Sequence, residues 1–390
     1  MADTFTAIPE GYTSSGIDRR LFSVQALRAI AALLVVWVHS IDAAEVFNRP
    51  RQSNFFHWEN YGACGVDIFF AISGFIVSRV AVRAVAAHFA ANETHFTFSA
   101  ARVFFTRRIT RVFPLYWILT AVVVLEAELG RYNVHWHSVN WLPTIFLFPS
   151  LHSLSNVPLL SLGWSLMFEM YFYAVLAAFM LWTPKSIVRN TMVFLCGMVV
   201  LGLGIGIHRP VLAVWMNPML LEFVFGCCIG LVYSRYGVGS QRIHRAGIWI
   251  GIGGAILLVA SIFTGYGGAS EQGRIMRGDY CWLRVGVWGI PAALLVGGVI
   301  FWNPAMRSFP ARFLVFLGDA SYSIYLCTIP ARSFVEHYWR IFGRFGLDAG
   351  VFFGALFCTA VGVVCYLVLE RPMMRAFHNW YKPMPFRTAV

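Results

Sequence analysis

Ten stretches of roughly 17 to 22 apolar residues dominate this chain, near 21–41, 62–82, 112–128, 161–182, 191–207, 212–233, 246–265, 281–301, 313–330 and 349–369. A helix of about 20 such residues crosses the hydrocarbon core of a bilayer. In lipid, every backbone N–H and C=O must be satisfied within the protein, so runs of this length read as helices. The expected fold is all-α: a polytopic membrane protein with about ten transmembrane helices around a central pore. Composition agrees, since 58% of the residues are hydrophobic, only 12% are charged and the mean hydropathy is +0.66; soluble domains average about 25% charged. No polar segment is long enough to fold separately. The expected organisation is therefore one transmembrane domain, 21–372, between tails 1–20 and 373–390.

A net charge of +12 raises nucleic acid as a partner, but the basic residues are scattered at helix ends, where topology and lipid headgroups explain them. With the N-terminus placed in the cytoplasm, loops on that side hold nineteen Arg and Lys residues and the opposite loops nine, among them Arg131, Arg209 and Arg332. This asymmetry predicts that both termini are cytoplasmic. Arg19-Arg20 superficially resembles a twin-arginine export signal, but the following run carries charge and precedes nine more spans, so it reads as a retained first helix. The eight cysteines have no paired CxxC spacing and fall mostly inside spans, which points to packing rather than to a disulfide framework or a zinc site.

Ionisable residues inside these spans carry the functional signal, because each costs about 2.5 kcal/mol or more at bilayer depth. In the first run Arg28 and His39 lie roughly 16 Å apart along a helix and return to nearly the same face. A polar stripe into a cavity is one reading; for Arg28, snorkelling to the headgroups is the other. GVDIFFAISGF at 65–75 places Asp67 about level with His39, where a carboxylate would orient an imidazole, or alternatively at a helix start as an N-terminal acid. Arg107, Arg108 and Arg111 cluster at the cytoplasmic start of the third span, as a topology signal or as a bidentate phosphate site. Glu169 in the fourth span should pair with Arg28 or with that cluster. SYSIYL at 321–326 lines a helix with the hydroxyls of Ser321, Tyr322, Ser323 and Tyr325. Glu222 is a further buried acid with no role legible in the sequence.

The segment 129–160 is long, aromatic and nearly uncharged, and the topology places it on the non-cytoplasmic side. Its Trp136 and Trp141 suit stacking on a sugar ring and equally suit anchoring at the membrane interface. His135, His137 and His152 lack flanking Cys, Asp or Glu at ligand spacing, so no metal site is expected. Gly226 and Gly230, like Gly247 and Gly251, have the spacing that brings helices close.

Taken together, Gln25-Ala26-Leu27-Arg28 with His39, GVDIFFAISGF, RRITRVFPLYW at 107–117, WSLMFEMYFY at 164–173, SYSIYL and Glu370-Arg371-Pro372 occur in the order seen in the integral-membrane acyltransferase family 3. Within it, the chain resembles the exopolysaccharide O-acetyltransferases. Met170 stands where the family's fourth-span motif usually has a second acid. Some relatives carry a fused esterase-like domain, and the end of this chain soon after its last span leads to the expectation of none here.

The resemblance implies transfer of an acyl group, most simply acetyl, across a bacterial inner membrane. The donor would be a cytosolic acyl-coenzyme A, with no permanently bound cofactor. The acceptor would be a hydroxyl of an exopolysaccharide or its lipid-linked repeat unit. His39 would be general base or transient acyl carrier, with Asp67 orienting it. Arg28, Arg107, Arg108, Arg111 and Tyr325 would hold the donor, and Glu169 would hold an arginine in the pore. A transporter or flippase of lipid-linked sugars is the rival reading, although no inverted repeat is visible.

Overall fold

A computed structural model describes residues 21–45, 58–90, 98–132, 134–152, 157–205, 209–237, 240–264 and 272–380. Arg19, Arg20, Arg49, Arg51, Lys382 and Arg387, with the whole tail 1–20 and residues 381–390 of the other tail, lie outside the described residues. Every regular element among them is helical. Among the described residues nine helices are long and apolar enough to cross a membrane, or up to ten with a bent pair counted as one span.

Helix α1 (Phe22–Glu45) sits at the centre, where Ala29, Ala31, Ala32 and Ala43 let neighbours approach on several sides. It packs against α2 (Gly65–Ala90) and against four later helices described below. A Cβ on Gly62 would collide with the Leu34 carbonyl, and one on Gly65 with the Ala31 carbonyl. These two contacts fix α1 and α2 as antiparallel neighbours with residue 62 level with 34 and 65 level with 31.

Helix α3 runs from Phe98 to Glu128, starting fourteen residues before the span expected at 112. Arginine is a good helix former, so Arg102, Arg107, Arg108 and Arg111 extend the helix beyond the apolar run instead of preceding it. The aromatic segment then forms the short α4 (Trp141–Phe146), tied to α3 by Tyr116 and Trp117, which donate to the carbonyls of Thr144 and Ile145. Helices α5 (Gly163–Trp182), α6 (Ile187–Ile205), the short α7 (Pro210–Trp215) and α8 (Leu220–Tyr236) follow.

Gly226 of α8 faces the Ala71 carbonyl and Gly74, so α2 and α8 meet backbone to backbone, as the glycine spacing predicted. Helix α9 (Gln241–Ala260) meets α12 (Ile290–Trp302) in the same way, through Gly247, Gly251 and Gly298. Between them lie α10 (Gln272–Ile275), α11 (Cys281–Arg284) and a π-helical turn at Val285–Gly289. Six of the eight cysteines are buried in these packed layers.

The ninth expected span, 313–330, is in fact two helices, α13 (Phe309–Asp319) and α14 (Ser321–His337), bent by 69°. Ser308 caps α13 by accepting from the Ala311 N–H. Gly318 lies against the backbone of Gln25, too close for any side chain, so α13 is pinned to α1 just before the bend. Because α14 continues to His337, Arg332 lies within a helix and not in the loop expected from the sequence. The short α15 (Trp339–Phe342) leads to α16 (Leu347–Cys365), which passes through a second π turn, Tyr366–Glu370, into α17 (Arg371–Trp380). The helices packed around α1 beyond α2 are α12, α13, α14 and α16.

Candidate active site

The polar residues of the spans gather into three clusters. The first is an open cavity of about 760 Å³, mouth included, between α1, α2, α3, α5 and α14. Arg28, Arg108, Arg111, Glu169 and Tyr325 all line it. Three guanidinium groups face one carboxylate there, and the excess of positive charge suits an anion with several oxygens. Ser321 accepts from Nε of Arg28 at 3.2 Å, which turns the Arg28 side chain inward. The Arg108 guanidinium lies 5.9 Å from the Tyr173 ring, and its Nε is buried without an acceptor. A buried donor left unpaired is costly, so a ligand oxygen at this point removes a penalty as well as adding a bond. Glu169 accepts from the Tyr173 hydroxyl at 3.1 Å. Arg107 is exposed and stands apart from this cavity.

The SYSIYL segment positions four hydroxyls in different directions because it opens α14 straight after the bend. Ser321 holds Arg28, and Tyr322 donates to the Val112 carbonyl of α3 at 2.7 Å. Ser323 donates to Glu370, and Tyr325 shares a 2.8 Å hydrogen bond with Ser165 while also donating to the Leu162 carbonyl. The motif therefore ties together α1, α3, α5 and the end of α16. Two of its hydroxyls hold charged groups and not merely backbone.

The second cluster corrects the expectation for Asp67. Arg284 binds it bidentately, Nε to Oδ1 at 3.1 Å and Nη2 to Oδ2 at 2.7 Å, with both side chains no more than 1% exposed. Arg284 also donates to the Ala63 carbonyl, and its guanidinium lies over Trp288 at 5.0 Å. The helix register explains why Asp67 does not orient His39. With Gly62 against Leu34 and Gly65 against Ala31, Asp67 is level with Ala29, about 15 Å along α1 from His39. Glu222, without an assigned role in the sequence, is fully buried and interacts with both Asp67 and Arg284.

His39 stands in the third cluster, with a side chain 12% exposed and Nδ1 at 2.9 Å from Oδ2 of Asp42. Arg332 reaches the same oxygen at 3.4 Å and donates from Nε to Glu336 at 2.6 Å. His39 does not line the cavity; it stands on the same helix as Arg28, about 16 Å further along. Asp42, Arg284 and Arg332 were missed in the sequence. A signal existed for the first two, whereas Arg332 lay just beyond the span expected at 313–330. Asp42 follows His39 at helical i, i+3 spacing, and Arg284 falls inside the predicted span 281–301.

Residues 21–369 match a family described as an acyltransferase domain. The chain belongs to this integral-membrane acyltransferase family and is an acyltransferase; the transporter reading is thereby set aside. Among its relatives, the exopolysaccharide production protein ExoZ of Rhizobium meliloti (strain 1021) is 30% identical over 333 residues, covering 82% of this chain and 92% of that protein. The peptidoglycan O-acetyltransferase OatA of Listeria monocytogenes is 24% identical over 343 residues, 79% of this chain but 49% of its own length. No solved structure matches the chain.

Proposed function

We propose that this acyltransferase O-acetylates an exported polysaccharide, taking the acetyl group from cytosolic acetyl-coenzyme A and delivering it to a sugar hydroxyl on the far side of the membrane. The observation that carries the reading is the electropositive cavity of Arg28, Arg108 and Arg111, of which Arg28 stands on the same central helix as His39. The arginines hold the phosphates of the donor, and its flexible arm extends along α1 toward the imidazole. In this reading both termini are cytoplasmic and the protein lies in a bacterial inner membrane. The names of the two relatives, one in exopolysaccharide production and one in peptidoglycan O-acetylation, support a polysaccharide acceptor.

His39 takes the proton of the acceptor hydroxyl as its oxygen attacks the thioester carbonyl carbon. The C–S bond then breaks, and the coenzyme A thiolate leaves and is protonated. The test uses His39→Gln in proteoliposomes supplied with labelled acetyl-coenzyme A and polysaccharide. Transfer should fall at least about a hundredfold while donor binding is retained. Near wild-type transfer at equal protein abundance would remove His39 from the chemistry.

A further inference from the structure

The contact of His39 with Asp42 specifies more than proximity. An ionised carboxylate can only accept hydrogen bonds, so at 2.9 Å it requires the proton of the neutral imidazole to sit on Nδ1, leaving the lone pair on Nε2. Asp42 is itself held. Arg332, from α14, approaches the oxygen that contacts His39, and Glu336 fixes Arg332 through its Nε. Tyr132 lies within electrostatic reach of this Arg332–Glu336 pair and of Glu126. The chain His39–Asp42–Arg332–Glu336 thus joins the end of the central helix to the helix whose start holds Arg28.

We infer that Asp42 is the positioning carboxylate of His39: it selects the tautomer with a basic Nε2 and stabilises the imidazolium formed when the acceptor proton arrives. The inference rests on the proposed role of His39 as base and names the residue that makes it one. In the reaction the proton passes from the sugar hydroxyl to Nε2, the new O–C bond forms and the C–S bond breaks. The proton is then returned from Nε2 to the departing thiolate. Asp42 neither gains nor loses a proton, and acts only through His39. A competing role exists, since an i, i+3 ion pair on a helix surface stabilises the helix slightly without touching chemistry.

Asp42→Asn, Asp42→Glu and His39→Gln, purified as full-length protein and assayed with acetyl-coenzyme A and polysaccharide, separate the two roles. An asparagine can present its amide N–H to Nδ1 and so favour the wrong tautomer. Asp42→Asn should therefore lower kcat about tenfold to a hundredfold, with the donor KM and the melting temperature unchanged. The expected loss is smaller than the ~10⁴ typical of a fully buried orienting aspartate, because the Asp42 side chain is 35% exposed. Asp42→Glu should restore part of the rate. If Asp42→Asn does not accumulate, Arg332→Gln takes its place, with an expected several-fold fall in kcat at constant donor KM. An unchanged kcat, or a loss matched by a fall in melting temperature, overturns the positioning role. An inactive His39→Gln beside a fully active Asp42→Asn overturns this inference alone, whereas a fully active His39→Gln overturns the base assignment and the inference with it.

Discussion

The cavity at Arg28 and the pair at Asp67 use the same residue types inside the same bundle, yet they are built oppositely. Around Arg284 two carboxylates, Asp67 and Glu222, meet one guanidinium, all of it sealed from solvent. The cavity is lined by three guanidinium groups and one carboxylate, Glu169, with Glu370 acting on Arg28 from just outside it, and the space between them is open. A closed, bidentate pair has its charge answered from within the protein and serves as a pin between α2 and α11. An open cluster with surplus positive charge needs an anion from outside. The ratio of arginine to acid, together with access, distinguishes a structural site from a binding one.

The largest effect should come from breaking the closed pair. Arg284→Ala leaves Asp67 buried without its cation, at a cost of about 3–5 kcal/mol. It should sharply reduce folded protein in the membrane and lower the melting temperature measured in detergent. Normal stability with only donor binding impaired would turn the pin into part of the binding site. Next in size, the Arg108→Ala, Arg111→Ala double variant should fold normally and raise the KM for acetyl-coenzyme A about tenfold to a hundredfold. A charge-assisted hydrogen bond contributes roughly 1.5–3 kcal/mol, and the expected rise corresponds to a net loss of about one, because Arg28 still faces the phosphates. Lysine at both positions should rescue only in part, because a point charge lacks the planar fork. Initial rates at varied donor concentration measure this, and an unchanged KM would reduce the two residues to topology signals. The smallest effect belongs to Arg107→Ala. Exposed and outside the cavity, Arg107 should change the donor KM by less than about twofold. A rise as large as that of the double variant would move the phosphate site onto the outer face of α3.

Much of the site was legible because charge in a span is expensive. Arg28, Glu169 and the Arg108–Arg111 pair stood out against apolar surroundings, and the structure gathers them in one cavity. Asp67 also stood out, but its partner did not follow from the pattern. An apolar helix announces that a carboxylate needs a cation without saying which of several helices brings it. The bend at Ala320 was illegible for a related reason: α13 and α14 read as one apolar run until the contact of Gly318 with Gln25 redirects the chain.

The sequence by itself determined that the chain is a bundle of membrane-crossing helices, approximately where each span lies and which residues pay for being charged inside it. Those properties depend on length and polarity along one chain segment, and lipid imposes them on each helix separately. Only the tertiary structure decided which charges meet. Glycine contacts between α1 and α2 set a register that takes Asp67 about 15 Å from His39 along the helix axis and gives it to Arg284 instead. Arg332 reaches His39's other neighbour, Asp42, because α14 continues beyond the predicted span. Partner choice is a property of helix registers and crossings, and these are fixed by close packing between segments far apart in sequence.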